Sequence, residues 1–307
     1  MKHNYTSTLR RALSAVVLLL VSTLSWAYDF ETGGIYYNIN DDGTSVTVTS
    51  GTGKYSGDIV IPSTVVNDGN IYSVTGIGKS AFRECTSLTS IDIPQSVTSI
   101  GEDAFYGCSS LTSIDLPSGL TYIEVGVFLD CTSLTSIDIP EGVTGIRNNA
   151  FEGCSSLTSI DIPEGVRYIA GHAFWGCTSL TSIDISSSVT YIEKKAFGGS
   201  TSPTTVICRA EEVPKCDYLA FDNTTIAKAT LYVPASSIED YKTDYRWSSF
   251  GTILPLEEYE TGIDTPAALQ PDEAAATAAP YYTLGGQRVN SPVRGHIYLR
   301  SGRKVIY

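Results

Sequence analysis

Cys85, Cys108, Cys131, Cys154 and Cys177 follow one another at intervals of 23 residues. A frame travels with them: Ile77-x3-Ala81-Phe82-x2-Cys85-x2-Leu88-x2-Ile91-Asp92-Ile93-Pro94-x2-Val97, after which Ile100 opens the next copy. Leu88, Leu111, Leu134, Leu157 and Leu180 keep the same register, as do Ile91, Ile114, Ile137, Ile160 and Ile183. Phe82, Phe105, Phe128, Phe151, Phe174 and Phe197 mark six copies of the phenylalanine position. A fixed period in this range belongs to solenoids, propellers or arrays. Spacing without drift makes each unit one coil of a stack, because one inserted residue would take every later side chain out of its column. The expected fold is a β-rich repeat solenoid of parallel stacked strands and short helical or 3₁₀ turns, capped at both ends.

Within a unit, Leu88-x2-Ile91-x-Ile93 puts both isoleucines on one face of a strand and Asp92 on the other. Pro94 ends that strand, since it has no N–H for a ladder. Val97-x2-Ile100 reads as a second short extended segment, and Ala81-Phe82-x2-Cys85 as the turn that returns the chain. No single unit buries its own apolar side; its neighbours do.

The remaining chain divides around this block. Residues 1–27 have the form of a secretory signal peptide: Lys2, Arg10 and Arg11, then apolar Leu13 to Leu20, then Ser25-Trp26-Ala27 before Tyr28. No cysteine follows the apolar run, which argues against a lipoprotein anchor, and no other stretch is apolar and long enough to span a bilayer. That segment holds three cations and no acid, so its removal takes the formal charge from −13 to −16. Such a surface repels nucleic acid and anionic membranes. Residues 28–76 read as an N-terminal β cap and first irregular repeat, 77–200 as five to six repeats, and 201–260 as irregular repeats and a C-terminal cap. In that cap Ser236 to Tyr241 reads as a capped helix start, and Trp247, Phe250 and Ile253 as a plug. Residues 261–280, rich in Ala, Pro and Thr, read as a linker, and 281–307 as a small basic β tail of three strands.

The repeat closely resembles the BspA-type bacterial leucine-rich repeats, whose consensus is Leu-x2-Ile-x-Ile-Pro, then Val-x2-Ile-x3-Ala-Phe-x2-Cys, as over Leu111 to Cys131. The resemblance runs from about Ile59 to Phe221. Val127 replaces Ala, Ser186 replaces Pro and Ser200 replaces Cys; the last two suggest that the stack is ending. The tail, with five basic residues and no acid, resembles the C-terminal modules of exported proteins from Gram-negative anaerobes, some of them related to type IX sorting signals. The repeat resemblance implies a secreted or cell-surface protein that adheres to host matrix proteins, cells or other bacteria.

Seven cysteines in an exported chain suggest disulfides. Five of them share one column beside the phenylalanines, which favours a reduced, buried ladder. Cys208 and Cys216 stand outside it and are the better disulfide candidates. No CxxC or Cys/His cluster offers a zinc site, and no motif calls for a cofactor.

Three surface columns are candidate binding sites. Asp92, Asp115, Asp138, Asp161 and Asp184 share one strand position, with Ser90, Ser113, Ser136, Ser159 and Ser182 on the same face. At ~5 Å apart, each carboxylate pair repels by somewhat under 1 kcal/mol in water and ~3 kcal/mol at intermediate dielectric. A stack that accepts this repulsion has either a groove for a cation or basic segment, or a solvated polar face whose serines donate to the acids. Tyr122, Tyr168 and Tyr191 form a second column, and Tyr106 and Trp175 share a third. They suit protein or sugar contact, or pack the rim. Five near-identical rungs supply one carboxylate environment five times, whereas acid–base catalysis needs two different ones; no catalytic residue is assigned. Binding to a protein is the expected function, with a glycan-binding or glycan-cleaving solenoid and a structural surface component as alternatives.

Overall fold

The computed structural model describes residues 28–261 and four short strands between 281 and 306. The expected leader, and the expected linker after Thr261, lie outside the described residues. Strands β1 (Phe30–Thr32), β2 (Ile35–Ile39) and β3 (Ser45–Thr49) form an antiparallel meander. After β4 (Gly57–Val60), β5 (Thr64–Asn67) and β6 (Asn70–Ile77) form a hairpin. Its loop is Asp68-Gly69, both with positive φ (49° and 78°), the turn whose twist matches paired strands. β6 lies parallel to β3, giving a cap sheet of order β1-β2-β3-β6-β5.

Three ladders then run along the stack. The first joins the Leu-x2-Ile-x-Ile segments. β4 pairs in parallel with β7 (Leu88–Asp92). On the second, β8 (Ser99–Ile100) joins β6, and β9 (Tyr122–Ile123) pairs with β10 (Gly145–Ile146). The first ladder resumes in β11 (Ser159–Ile162), and the second continues in β12 (Tyr168–Ile169). β13 (Ser182–Ile185), β14 (Tyr191–Ile192), β15 (Thr205–Cys208) and β16 (Lys215–Cys216) extend both. β17 (Thr230–Val233) and β18 (Thr252–Pro255) close the first. Between β7 and β11 the first ladder carries no assigned strands; Thr135 N–H to Thr112 O at 3.1 Å and Thr158 N–H to Thr135 O at 3.2 Å hold those coils in step.

The third ladder is made of turns. Phe82 N–H donates to Ala104 O, and the phenylalanine amide repeats that bond in every coil to Phe197 N–H and Ala220 O, at 2.7–2.9 Å. Because these amides point to the next coil, they are lost to an i→i−4 helix. The expected helical turns are instead successive β-turns with left-handed positions at Ser80, Asp103, Asn149, His172 and Lys195.

The core is an aromatic spine. Tyr55 meets Phe82 at 4.6 Å, and Phe82, Phe105, Phe128, Phe151, Phe174, Phe197 and Phe221 stack at 5.1–5.6 Å with ring planes within 16°. Trp247 and Phe250 close it edge-on, under α1 (Ile238–Thr243). The thiols lie alongside. Cys108, Cys131, Cys154 and Cys177 each donate S–H to the phenylalanine carbonyl of the preceding coil at 3.1–3.2 Å. Ser200 makes the same bond to Phe174 O at 3.3 Å.

Four further expectations change. Ser200 fits the thiol position and the register runs on to Pro255, so the stack does not end near 200. Cys208 and Cys216 are free and buried. They replace isoleucine in two different columns, Cys208 opposite Ile185 on the first ladder and Cys216 opposite Ile192 on the second, so neither ladder brings them together. Ser237 precedes α1 but its hydroxyl donates to Glu211 O at 2.6 Å rather than capping the helix. The tail holds four strands rather than three, β19 (Tyr281–Tyr282), β20 (Arg288–Val289), β21 (Ile297–Arg300) and β22 (Arg303–Ile306), in the order β20-β19-β21-β22.

Candidate functional site

Alternation on the first ladder buries Ile91, Ile114, Ile137, Ile160 and Ile183 and turns the aspartates outward. Asp92, Asp115, Asp138 and Asp161 are exposed and Asp184 is partly covered. Asp161 lies directly opposite Asp184 in the parallel register. The column has apolar neighbours at both ends: Val60 opposite Asp92, and Ile207, Tyr232 and Leu254 beyond Asp184. The serine column is exposed to half-buried. Ser90 and Thr89 donate to Oδ1 of Asp58, at 2.7 and 2.8 Å, an acid that occupies the serine position one coil earlier.

Arg209 terminates the column. It occupies the place of Pro94, Pro117, Pro140 and Pro163, two residues past the column position. From there its guanidinium reaches back to Asp184, and its third arm meets Glu260 at 3.3 Å on α2 (Leu256–Thr261). Tyr259 of the same helix lies 5.1 Å from the Tyr232 ring. Burial, followed by the charge of Asp184, pushes its phenol up to about 12.

The exposed carboxylates lie on the near side of that clamp. Asp161 remains exposed by area, but the rungs on either side withdraw water from its carboxylate. That loss of solvation, reinforced by Asp184 and opposed by Arg209, pushes it up to about 7. Asp138 is raised by the same desolvation and by Asp115. In-register stacking strings these carboxylates along a line. Among the described residues, no three or more His, Cys, Asp or Glu side chains gather where they could hold a metal ion.

The aromatics occupy other sides of the coil. Tyr122, Gly145, Tyr168, Tyr191 and Lys215 form one register on the second ladder. Tyr122 and Tyr191 are 37% and 39% exposed. The Tyr168 ring lies over Gly145, where a Cβ would stand 2.5 Å from the ring. Arg147 covers Tyr122 at 4.4 Å. On the turn ladder Arg83 lies 4.0 Å over Tyr106, and Lys195 lies 4.7 Å over Trp175. Acid and aromatic columns therefore form separate surfaces.

Sequence reasoning missed Arg209, Glu260 and Tyr259. A basic residue replacing the strand-ending proline was the available signal for the first; nothing local marks the other two.

A family model described as the BspA type Leucine rich repeat region matches residues 66–180 and 126–245, with six copies. The chain belongs to this family. Among solved structures, this BspA-type chain is similar to a leucine rich cell surface protein from Faecalibacterium prausnitzii A2-165, at 34% identity and a TM-score of 0.59. That likeness covers 66% of this chain and 54% of the other, so the chain spans about half the length of that relative. It is also similar to the T. pallidum Leucine Rich Repeat protein, at 30% identity and a TM-score of 0.53, over 58% of this chain and 81% of that one. A leucine-rich repeat protein from Bacteroides ovatus shares the fold at 24% identity and a TM-score of 0.50, over 75% and 77%. No curated protein matches. Among the described residues, no helix is long and apolar enough to cross a membrane.

Proposed function

We propose that this BspA-type solenoid is an exported, non-catalytic binding protein, secreted or held at the cell surface, whose acid column engages an extended cationic segment of a protein partner. Adhesion to host matrix, to cells or to other bacteria is the setting that the family and the cell-surface relative favour. One observation carries the reading: four exposed aspartates at one strand position form a line up to the Arg209 clamp. A line of like-charged side chains suits an extended partner through many weak contacts better than it suits one compact ion. A glycan partner would instead use the exposed rings of Tyr122 and Tyr191 on the second ladder.

The test is a fluorescence-anisotropy titration of a labelled four-lysine peptide into the wild-type chain and into the Asp115→Ser, Asp138→Ser, Asp161→Ser triple variant. The proposal expects at least tenfold weaker binding by the variant and a steep loss of binding by wild type as salt rises. Equal affinities for the two proteins would refute it, and hits confined to a glycan array would move the site to the tyrosine column.

A further inference from the structure

The N-terminal cap contains a cleft of about 380 Å³, a size at the small end of ligand sites. Thr32, Ile35 and Tyr37 line one wall, and Val60, Pro62 and Val66 line the other. Two features set it apart from the rest of the surface. Tyr37 has no exposed surface, yet among the described residues its hydroxyl has no hydrogen-bond partner. A buried, unsatisfied donor of this kind is costly and is uncommon in folded chains. Beside it, Val60 and Val66 are 66% and 59% exposed, and Ile71, paired with Val66 across the hairpin, is 71% exposed. Together they leave an apolar strip on an otherwise acidic chain.

The position of the cleft points to its occupant. Val60 lies opposite Asp92, so the cleft opens at the N-terminal end of the acid column. Asp58, two residues before Val60, continues the negative face. No Lys or Arg stands in the serine or aspartate positions from Asp58 to Asp184. An aliphatic wall therefore adjoins a run of carboxylates.

We infer that this cleft is the anchoring end of the binding face: it seats one apolar side chain of an extended polypeptide whose neighbouring cationic residues lie along Asp92 to Asp161. The inference rests on the acid column as the binding face and adds the partner's apolar anchor and its position. Apolar anchoring fixes register, which a row of like charges alone leaves free to slide.

Two labelled peptides test it, a lysine tetrad flanked on both sides by leucine and the same tetrad flanked by glycine. Wild type should bind the leucine peptide at least tenfold more tightly. The Val60→Lys, Val66→Lys double variant changes exposed positions, so it should melt like wild type while losing that preference. Equal binding of both peptides by wild type, or a tenfold preference surviving in the double lysine variant, overturns the cleft. The triple Asp→Ser variant separates the two ideas. If it binds both peptides as wild type does and keeps the leucine preference, the column reading fails and the cleft stands.

Discussion

Arg209 holds both oxygens of Asp184, with Nε 2.9 Å from Oδ1 and Nη2 2.7 Å from Oδ2. The pair is largely but not fully shielded, with about a quarter or less of either side chain exposed. Arg209→Gln should therefore cost ~1–3 kcal/mol, between a surface pair and a fully buried one. Urea unfolding at neutral pH measures it. A loss below ~0.5 kcal/mol would show the clamp to be an ordinary surface pair.

The same cluster gives a pH dependence. Asp161 is raised in the folded chain to about 7, above its unfolded value near ~3.9, so folding favours its protonated form. That contribution is fully present below the unfolded value and is lost as pH rises to 7. Asp161→Asn should flatten the fall in melting temperature between pH 4 and 7. Arg209→Gln should steepen it, since Arg209 opposes the rise. Binding runs the other way: affinity for a cationic peptide should increase from pH 6 to pH 8 as Asp161 ionises. Parallel melting curves for wild type and Asp161→Asn would contradict the assignment.

All seven thiols are free and buried, and burial pushes Cys108 and Cys216 up to about 12 and Cys208 up to about 11. Thiolate is the reactive form, so the folded chain should resist alkylation and take up seven labels only on unfolding. Intact mass after iodoacetamide reads this directly. Fewer than seven labels in denaturant without reductant would reveal a disulfide.

The thiol column has a chemical requirement beyond size. Cys131 gives Phe105 O a bond at 3.1 Å, and Ser200 shows that a hydroxyl can take that role. Cys131→Ser should fold with a smaller loss than Cys131→Val, which removes the donor and adds a branch in a close-packed column; the valine cost is ~1–3 kcal/mol. Phe151→Ala, in the middle of the spine, should cost ~3–5 kcal/mol.

Drift-free spacing from Cys85 to Cys177 made the stack and its core readable, because identical offsets must become columns. The outward aspartates followed from strand alternation. Ser186 and Ser200 look in the sequence like a stack that is ending. Yet Ser186 donates to Pro163 O at 2.9 Å and Ser200 to Phe174 O, so both keep a coil-to-coil bond. The Arg209–Glu260 contact joins residues 51 apart in sequence, and no local pattern encodes it. The cap cleft depends likewise on how β1 and β2 meet the segment after β4, a packing result that periodicity does not reach.

Binding by the carboxylates as a line is the property to measure. Four exposed aspartates at a rung spacing of ~4.8 Å span ~14 Å, about the reach of four or five extended residues. Affinity should therefore be measured for peptides carrying one, two, three, four and six lysines at fixed ionic strength. A line predicts stepwise gains up to about four lysines and little beyond. Affinity already complete at one lysine, or independent of lysine number, would contradict it.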